Sequence, residues 1–157
     1  MRVLGADIAT TTGLAVIEDE KLIYYDYYIL GKDISHRDRF KDFRLKTLKL
    51  LNIYKPNALA FESTYVGVNP KVTAYLNMLR GIFIECSDRK IQLFSDTVSR
   101  IRKETMGAGR KYKKLDVMNY VIKKYQIELD ITDKKSEDIS DAILLAEWGT
   151  NCLTQTK

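Results

Sequence analysis

One histidine and two cysteines are all that this 157-residue chain carries of imidazole and thiol. A zinc centre built on clustered Cys and His is therefore set aside. Cys86 and Cys152 lie far apart, which fits two free thiols in a reducing compartment and hence a cytoplasmic location. Proline is equally scarce, with only Pro56 and Pro70, and no Pro-, Gly- or Ser-rich linker divides the chain. There is no internal repeat or low-complexity tract, so a single domain over residues 1–157 is expected. No apolar run approaches the roughly 18 residues of a membrane span. Met1-Arg2-Val3-Leu4 leads straight into an apolar stretch, so no targeting segment is expected either.

What the chain does have is hydrophobic content of 45%, enough for a proper core, and a net charge of +5. The charge is concentrated. Between Arg100 and Lys124, nine basic residues stand against Glu104 and Asp116, a local surplus of +7. Such a field suits a phosphate backbone, although basic runs are more often solvated helix surface.

The pattern of elements is mixed α/β. Val3–Ile8 and Leu14–Ile17 flank Thr10-Thr11-Thr12-Gly13 and read as an antiparallel hairpin. Leu22–Leu30, rich in tyrosine, extends it to a three-stranded meander. Ser35 is placed to cap a helix whose apolar residues Phe40, Phe43, Thr47, Leu51 and Tyr54 recur at helical steps until Pro56. Ala58–Phe61 reads as a strand buried on both faces. Pro70 opens a helix to about Asp88 with two apolar stripes, Val72/Tyr75/Leu76/Leu79/Phe83 and Ala74/Met78/Ile82. One stripe would meet the sheet and the other a second subunit or another part of the domain. Ile91–Phe94 is a further strand, and a short basic helix starts at Asp96 or Thr97. Met106–Lys111 is a glycine loop. Lys114–Tyr125 is a helix with Leu115, Met118, Val121 and Ile122 as its apolar face, and the last helix runs from Ser136 to about Gly149.

Four acids stand out against this frame. Asp7 ends the first buried strand and Glu62 ends the fourth, where a buried strand would carry an apolar residue. An ionised carboxylate there must be paired or metal-bound. Asp138 and Asp141 are three apart and share one face of the last helix; as acids near a helix start they could equally be ordinary caps. Four carboxylates brought together repel one another unless cations neutralise them. Oxygen-only ligands select Mg²⁺ or Mn²⁺, and two such ions form the site for in-line attack of water on a phosphodiester.

The order strand–Asp, strand–Glu and Asp-x-x-Asp on a final helix resembles the RuvC family of Holliday-junction resolvases, within the RNase H-like superfamily. The likeness spans essentially the whole chain. Leu4-Gly5-Ala6-Asp7 resembles the family's first strand, and Pro56–Glu62 its second acidic strand. Tyr65 is an aromatic three residues beyond the glutamate, Leu79-Arg80-Gly81 is similar to the family's second helix, and Glu137–Ala142 to its terminal acidic motif. The chain departs from the family's usual Pro-Gly after the first aspartate, having Ile8-Ala9 instead. The resemblance implies an RNase H-like mixed sheet flanked by helices. It implies a homodimer, formed through the Pro70–Asp88 helix, that nicks four-way junctions with two Mg²⁺ (or Mn²⁺) ions per site. Asp7, Glu62, Asp138 and Asp141 would be the catalytic metal ligands. Tyr65 would stack on an unpaired base. Arg102, Arg110, Lys111, Lys113 and Lys114 would contact DNA phosphates. Residues 66–69 and the glycine loop differ enough that forks and other branched DNA are expected substrates too.

Other readings remain open on sequence alone. Asp7–Gly13 is similar to the phosphate-binding hairpin of actin- and Hsp70-like ATP-binding proteins, though those need two such lobes. A non-catalytic DNA-binding relative and an RNase H-type nuclease acting on hybrids are the others.

Overall fold

The computed structural model describes residues 1–63, 69–108 and 111–155. Strands β1 (Arg2–Asp7) and β2 (Thr11–Glu18) pair antiparallel, with Asp7 opposite Gly13. The turn lacking Pro-Gly is closed by a side chain instead. The Thr12 hydroxyl donates to the Ala9 carbonyl at 2.7 Å and accepts from the Ala9 N–H at 3.3 Å. Strand β3 (Lys21–Ile29) follows through Asp19 and Glu20, which take φ of 46° and 68°, the positive values that tight two-residue hairpins use. Strands β4 (Ala58–Glu62) and β5 (Gln92–Asp96) complete a sheet of order β3-β2-β1-β4-β5, in which β1–β4 and β4–β5 are parallel.

Strand alternation sends side chains to two opposite layers. Leu4, Ala6, Leu14, Val16, Leu59 and Phe61 pack against α1 (His36–Tyr54) and α2 (Pro70–Glu85), chiefly through Phe43, Leu50, Leu79 and Phe83. Val3, Ala15, Ile17, Ala58 and Ala60 face α5 (Lys134–Gln155), which is backed by α3 (Val98–Met106) and α4 (Lys114–Tyr125). The long helix α5 is buried along most of its length and touches β1, β2 and β4. Three glycines let it come that close. A Cβ on Gly5 would stand 2.2 Å from the Ala142 carbonyl oxygen, and one on Gly13 only 1.8 Å from that of Asp138. On the helix itself, a Cβ at Gly149 would lie 2.7 Å from that of Ala60. Among the described residues no helix is long and apolar enough to cross a membrane.

Several boundaries differ from those the pattern predicts, each for a local reason. Helix α1 is capped by Ser35 as expected, the Ser35 hydroxyl accepting from the Asp38 N–H at 3.1 Å. Helix α3 is capped by Thr97 and stopped by Gly107 at φ 92°. Helix α5, in contrast, starts two residues before Ser136. The Asp133 carboxylate accepts from the Lys135 N–H at 3.0 Å and opens the helix there. It also runs six residues beyond Gly149, because Leu153 is buried in the α3/α4 layer. Helix α2 ends at Glu85 rather than Asp88, and its stripes divide differently. Ile82 joins the core while Val72 is 52% exposed. In α4 the buried face is Val117, Met118 and Val121, with Leu115 turned outward. Strand β1 gives up Ile8 to the turn, β3 spans 21–29, and β5 is shifted one residue later and extended to Asp96.

Candidate active site

Strand parity and register build the first half of the site. Asp7 follows Val3 and Gly5 on the α5 face of β1, and Glu62 follows Ala58 and Ala60 on the same face of β4. The parallel register runs Val3↔Ala58 to Ala6↔Phe61, so the two acids come next, side by side at the carboxyl ends of adjacent strands. Helix α5 supplies the second half. Gly13 opposes Asp7 across the hairpin, and the Asp138 backbone rests on Gly13, so the helix delivers Asp138 and, one turn on, Asp141 to that end of the sheet. Asp138 and Asp141 are each 8% exposed. Because α5 begins at Lys134, both sit beyond its first turn and cap nothing.

All four carboxyls are held above the ordinary carboxylate range. For Asp7 the cause is burial first, then the charges of Glu62, Asp141 and Asp138. Burial and Asp141 raise Glu62, while Arg80, Arg102 and Lys114 pull it back. Burial raises Asp141 against the pull of Arg102 and Lys114. Asp138 is pushed up to about 6 by burial, opposed by Lys114 and reinforced by Asp141. The four acids therefore feel one another and lack sufficient counter-charge. Among the described residues no three acid, histidine or cysteine side chains are drawn tightly enough together to grip an ion. The donor set still suits hard divalent cations: it is oxygen only, and its excess negative charge is what such a cation would relieve.

The cations around the acids are already in use. Arg102 is largely buried, its guanidinium 3.4 Å from Asp141 and donating to the Tyr112 carbonyl at 3.0 Å. It faces inward toward the acids rather than out to a phosphate. The Lys114 ammonium meets Glu137 at 2.8 Å. Lys111 and Lys113 are exposed. Tyr65 and Arg110 lie outside the described residues. Two participants carried no assigned role in the sequence. Arg80 reaches across to Glu62 electrostatically, and Asp96 lies beside Glu62 in the β4–β5 register, paired with Arg100 at 2.8 Å. Asp96 has a signal: like Asp7 and Glu62, it is an acid ending a strand of this sheet.

The charge imbalance predicts a pH-dependent stability difference. The Asp138 carboxyl is raised from 3.8 to about 6, so its favourable protonated form is complete below about pH 4 and lost as pH rises through about 6. In EDTA, Asp138→Asn should melt with wild type below pH 4 and above it from pH 6 upward, read by thermal denaturation. A constant difference across that range would contradict the shift.

A family model described as crossover junction endodeoxyribonuclease RuvC matches residues 3–147. The chain belongs to the RuvC family. A RuvC of Ralstonia pickettii is 31% identical over 156 residues, covering 93% of this chain and 81% of that protein. One from Chlamydia pneumoniae is 28% identical, covering 92% and 89%. Both are named crossover junction endodeoxyribonucleases. In three dimensions the chain is similar to Thermus thermophilus RuvC, with a TM-score of 0.84 at 16% identity over 99% of this chain and 97% of that one. The same protein in complex with Holliday junction substrate gives 0.83 at 14% identity, over 99% and 96%. The fold is thus the RuvC fold, an RNase H-like mixed sheet flanked by helices. Membership in the RuvC family also sets aside the actin- and Hsp70-like reading of the first hairpin.

Proposed function

We propose that this chain is a metal-dependent endonuclease that nicks four-way DNA junctions, and other branched DNA such as forks, in recombination and repair. The observation that carries the reading is the convergence of Asp7, Glu62, Asp138 and Asp141 at one end of the sheet, where Glu62, Asp138 and Asp141 each raise the proton affinity of Asp7. It is supported by membership in a family of crossover junction endodeoxyribonucleases. Asp7, Glu62, Asp138 and Asp141 would hold two Mg²⁺ or Mn²⁺ ions. Bound there, the ions would activate water and neutralise charge on the phosphate being cleaved. Arg102 and Lys114 orient and partly balance the acids. Lys111, Lys113 and Arg110 hold the DNA backbone, and Tyr65 stacks on an unpaired base. Cytoplasmic location and a single domain complete the reading.

The decisive assay is cleavage of synthetic four-way junctions, forks and linear duplex, with Mg²⁺ and with EDTA. Paired nicks near the branch point that vanish in EDTA are expected. Cleavage of linear duplex at the same rate, or undiminished in EDTA, would overturn the proposal. Lys113→Ala should weaken junction binding and flatten its salt dependence, with the slope of log K against log salt falling by about one phosphate contact. An unchanged slope would mean a merely solvated lysine.

The second protomer of a homodimer would seat on the outer face of α2. Met78 is 55% exposed there, Ile84 37%, and a Cβ at Gly81 would meet nothing within 4 Å. That small-and-apolar surface would let two helices approach closely. Met78→Glu should weaken dimerisation at least about tenfold, read by sedimentation, and leave single rather than paired nicks. A dimer of unchanged affinity would rule this face out.

A further inference from the structure

Resting on the reading that the substrate is branched DNA, we propose that the cleft between the N-terminal ends of α1 and α2 is a subsite for one unpaired nucleotide. Its base would stack on an aromatic wall, and its phosphate would lie on Lys71 and Arg39. The cleft has a volume of about 290 Å³ and is lined by Thr10, His36, Arg39, Lys71 and Tyr75 among others. That is near the lower end of the roughly 300–1,000 Å³ typical of small-ligand sites.

Three observations converge on that occupant. The first is the wall itself. The His36 and Tyr75 rings lie 5.0 Å apart, and Phe40 stacks on Tyr75 at 5.4 Å. His36 is exposed while Tyr75 and Phe40 are partly buried, so the trio is anchored on one side and open on the other. The second is unmet hydrogen bonding. The Tyr75 hydroxyl and the Arg39 Nε are both buried and, among the described residues, have no partner. Buried polar groups left unpaired are uncommon and call for an explanation. A nucleobase edge or a phosphate oxygen supplies acceptors for both. The remaining Arg39 donor interaction goes to the Lys32 carbonyl and fixes the guanidinium in place.

The third is charge and position. From Lys32 to Lys49 the chain carries seven basic side chains against three acidic ones, and Asp38 is already hydrogen-bonded to the Ser35 hydroxyl. Lys71 adds a further cation from α2. An acidic, aromatic ligand fits such a surface, and a nucleotide is both. Thr10 joins the cleft to the site, being three residues from Asp7 in the turn that carries that acid. The cleft thus lies on the α1/α2 side of the sheet, beside the turn that follows Asp7, and we place there a nucleotide neighbouring the strand held at the acids. Nothing local in the sequence marks the cleft, because His36, Phe40 and Tyr75 come from two helices far apart in the chain.

The experiment uses full-length protein and four-way junctions carrying 2-aminopurine at successive positions beside the crossover, in EDTA so that no strand is cut. Wild type is expected to change the fluorescence at a defined position. His36→Ala/Lys71→Ala, both surface changes, should lose that change and bind the junction about five- to tenfold more weakly. Tyr75→Phe keeps the ring and should keep the fluorescence change while weakening binding. Wild-type affinity and fluorescence in the double variant would overturn the subsite and leave the cleft to a protein partner. Weaker binding with the fluorescence change intact would reduce it to a charged surface and also overturn base stacking. Failure of wild type to cut any branched DNA in Mg²⁺ would instead overturn the proposed activity, so the two failures are separable.

Discussion

Asp7→Asn is expected to abolish cleavage, by about a thousandfold or more, and at the same time to make the metal-free protein more stable. The two effects share one cause. The Asp7 carboxyl is raised well above its ordinary range by burial and by three neighbouring acids, so at neutral pH its charge is a cost to the fold. Asparagine keeps the shape and removes the charge. A thousandfold loss corresponds to roughly 4 kcal/mol of transition-state stabilisation. In EDTA the variant should melt several degrees above wild type. In Mg²⁺ the gap should close or reverse, since ions that bind only the folded wild type stabilise it by mass action. Junction binding in EDTA should be little changed. Retained cleavage, or a lower melting point than wild type in EDTA, would remove Asp7 from the site.

Gly13→Ala carries the largest expected structural penalty. The new Cβ would stand 1.8 Å from the Asp138 carbonyl oxygen, 2.3 Å from its carbon and 2.9 Å from the Ile139 nitrogen. These are backbone atoms of a packed helix, so no side-chain rotation relieves the clash. Either the hairpin or the start of α5 must move. A cost of about 3 kcal/mol or more is expected, above ordinary overpacking because the obstruction is main chain. Against a typical total stability of about 5–15 kcal/mol that is severe, and urea unfolding would measure it. The fraction that stays folded should also cleave poorly, because the displaced segment holds Asp138 and Asp141. A stable, active Gly13→Ala protein would mean that α5 does not lie where described.

The acid cluster is legible in the chain because its acids break local rules. Asp7 and Glu62 interrupt apolar strands, and Asp138 and Asp141 fall one helical step apart. What could not be read is strand order. Nothing local says that β4 inserts beside β1 or that β5 follows it, yet that pairing sets Glu62 between Asp7 and Asp96. Helix ends depart from the sequence pattern where two caps compete. Ser136 and Asp133 both suit an N-cap, and only the hydrogen bond from the Lys135 N–H decides for Asp133. The tail of α5 is hidden in the sequence because Gly149, Thr150 and Asn151 are weak helix formers, and burial of Trp148 and Leu153 overrides them. The inward turn of Arg102 was hidden for a similar reason: a basic segment announces charge, not the direction in which each side chain points.

The long reach from β1 to α5 has a consequence during synthesis. Half of the acid cluster emerges from the ribosome with Asp7 and Glu62, but the other half arrives only with the final helix, more than 130 residues after the first acid. Contacts that distant in sequence form late. A nascent or prematurely ended chain lacking α5 holds two acids on an uncovered sheet and none of the helix that seals them. Under the proposed activity, the capacity to cut DNA would arise only as α5 docks.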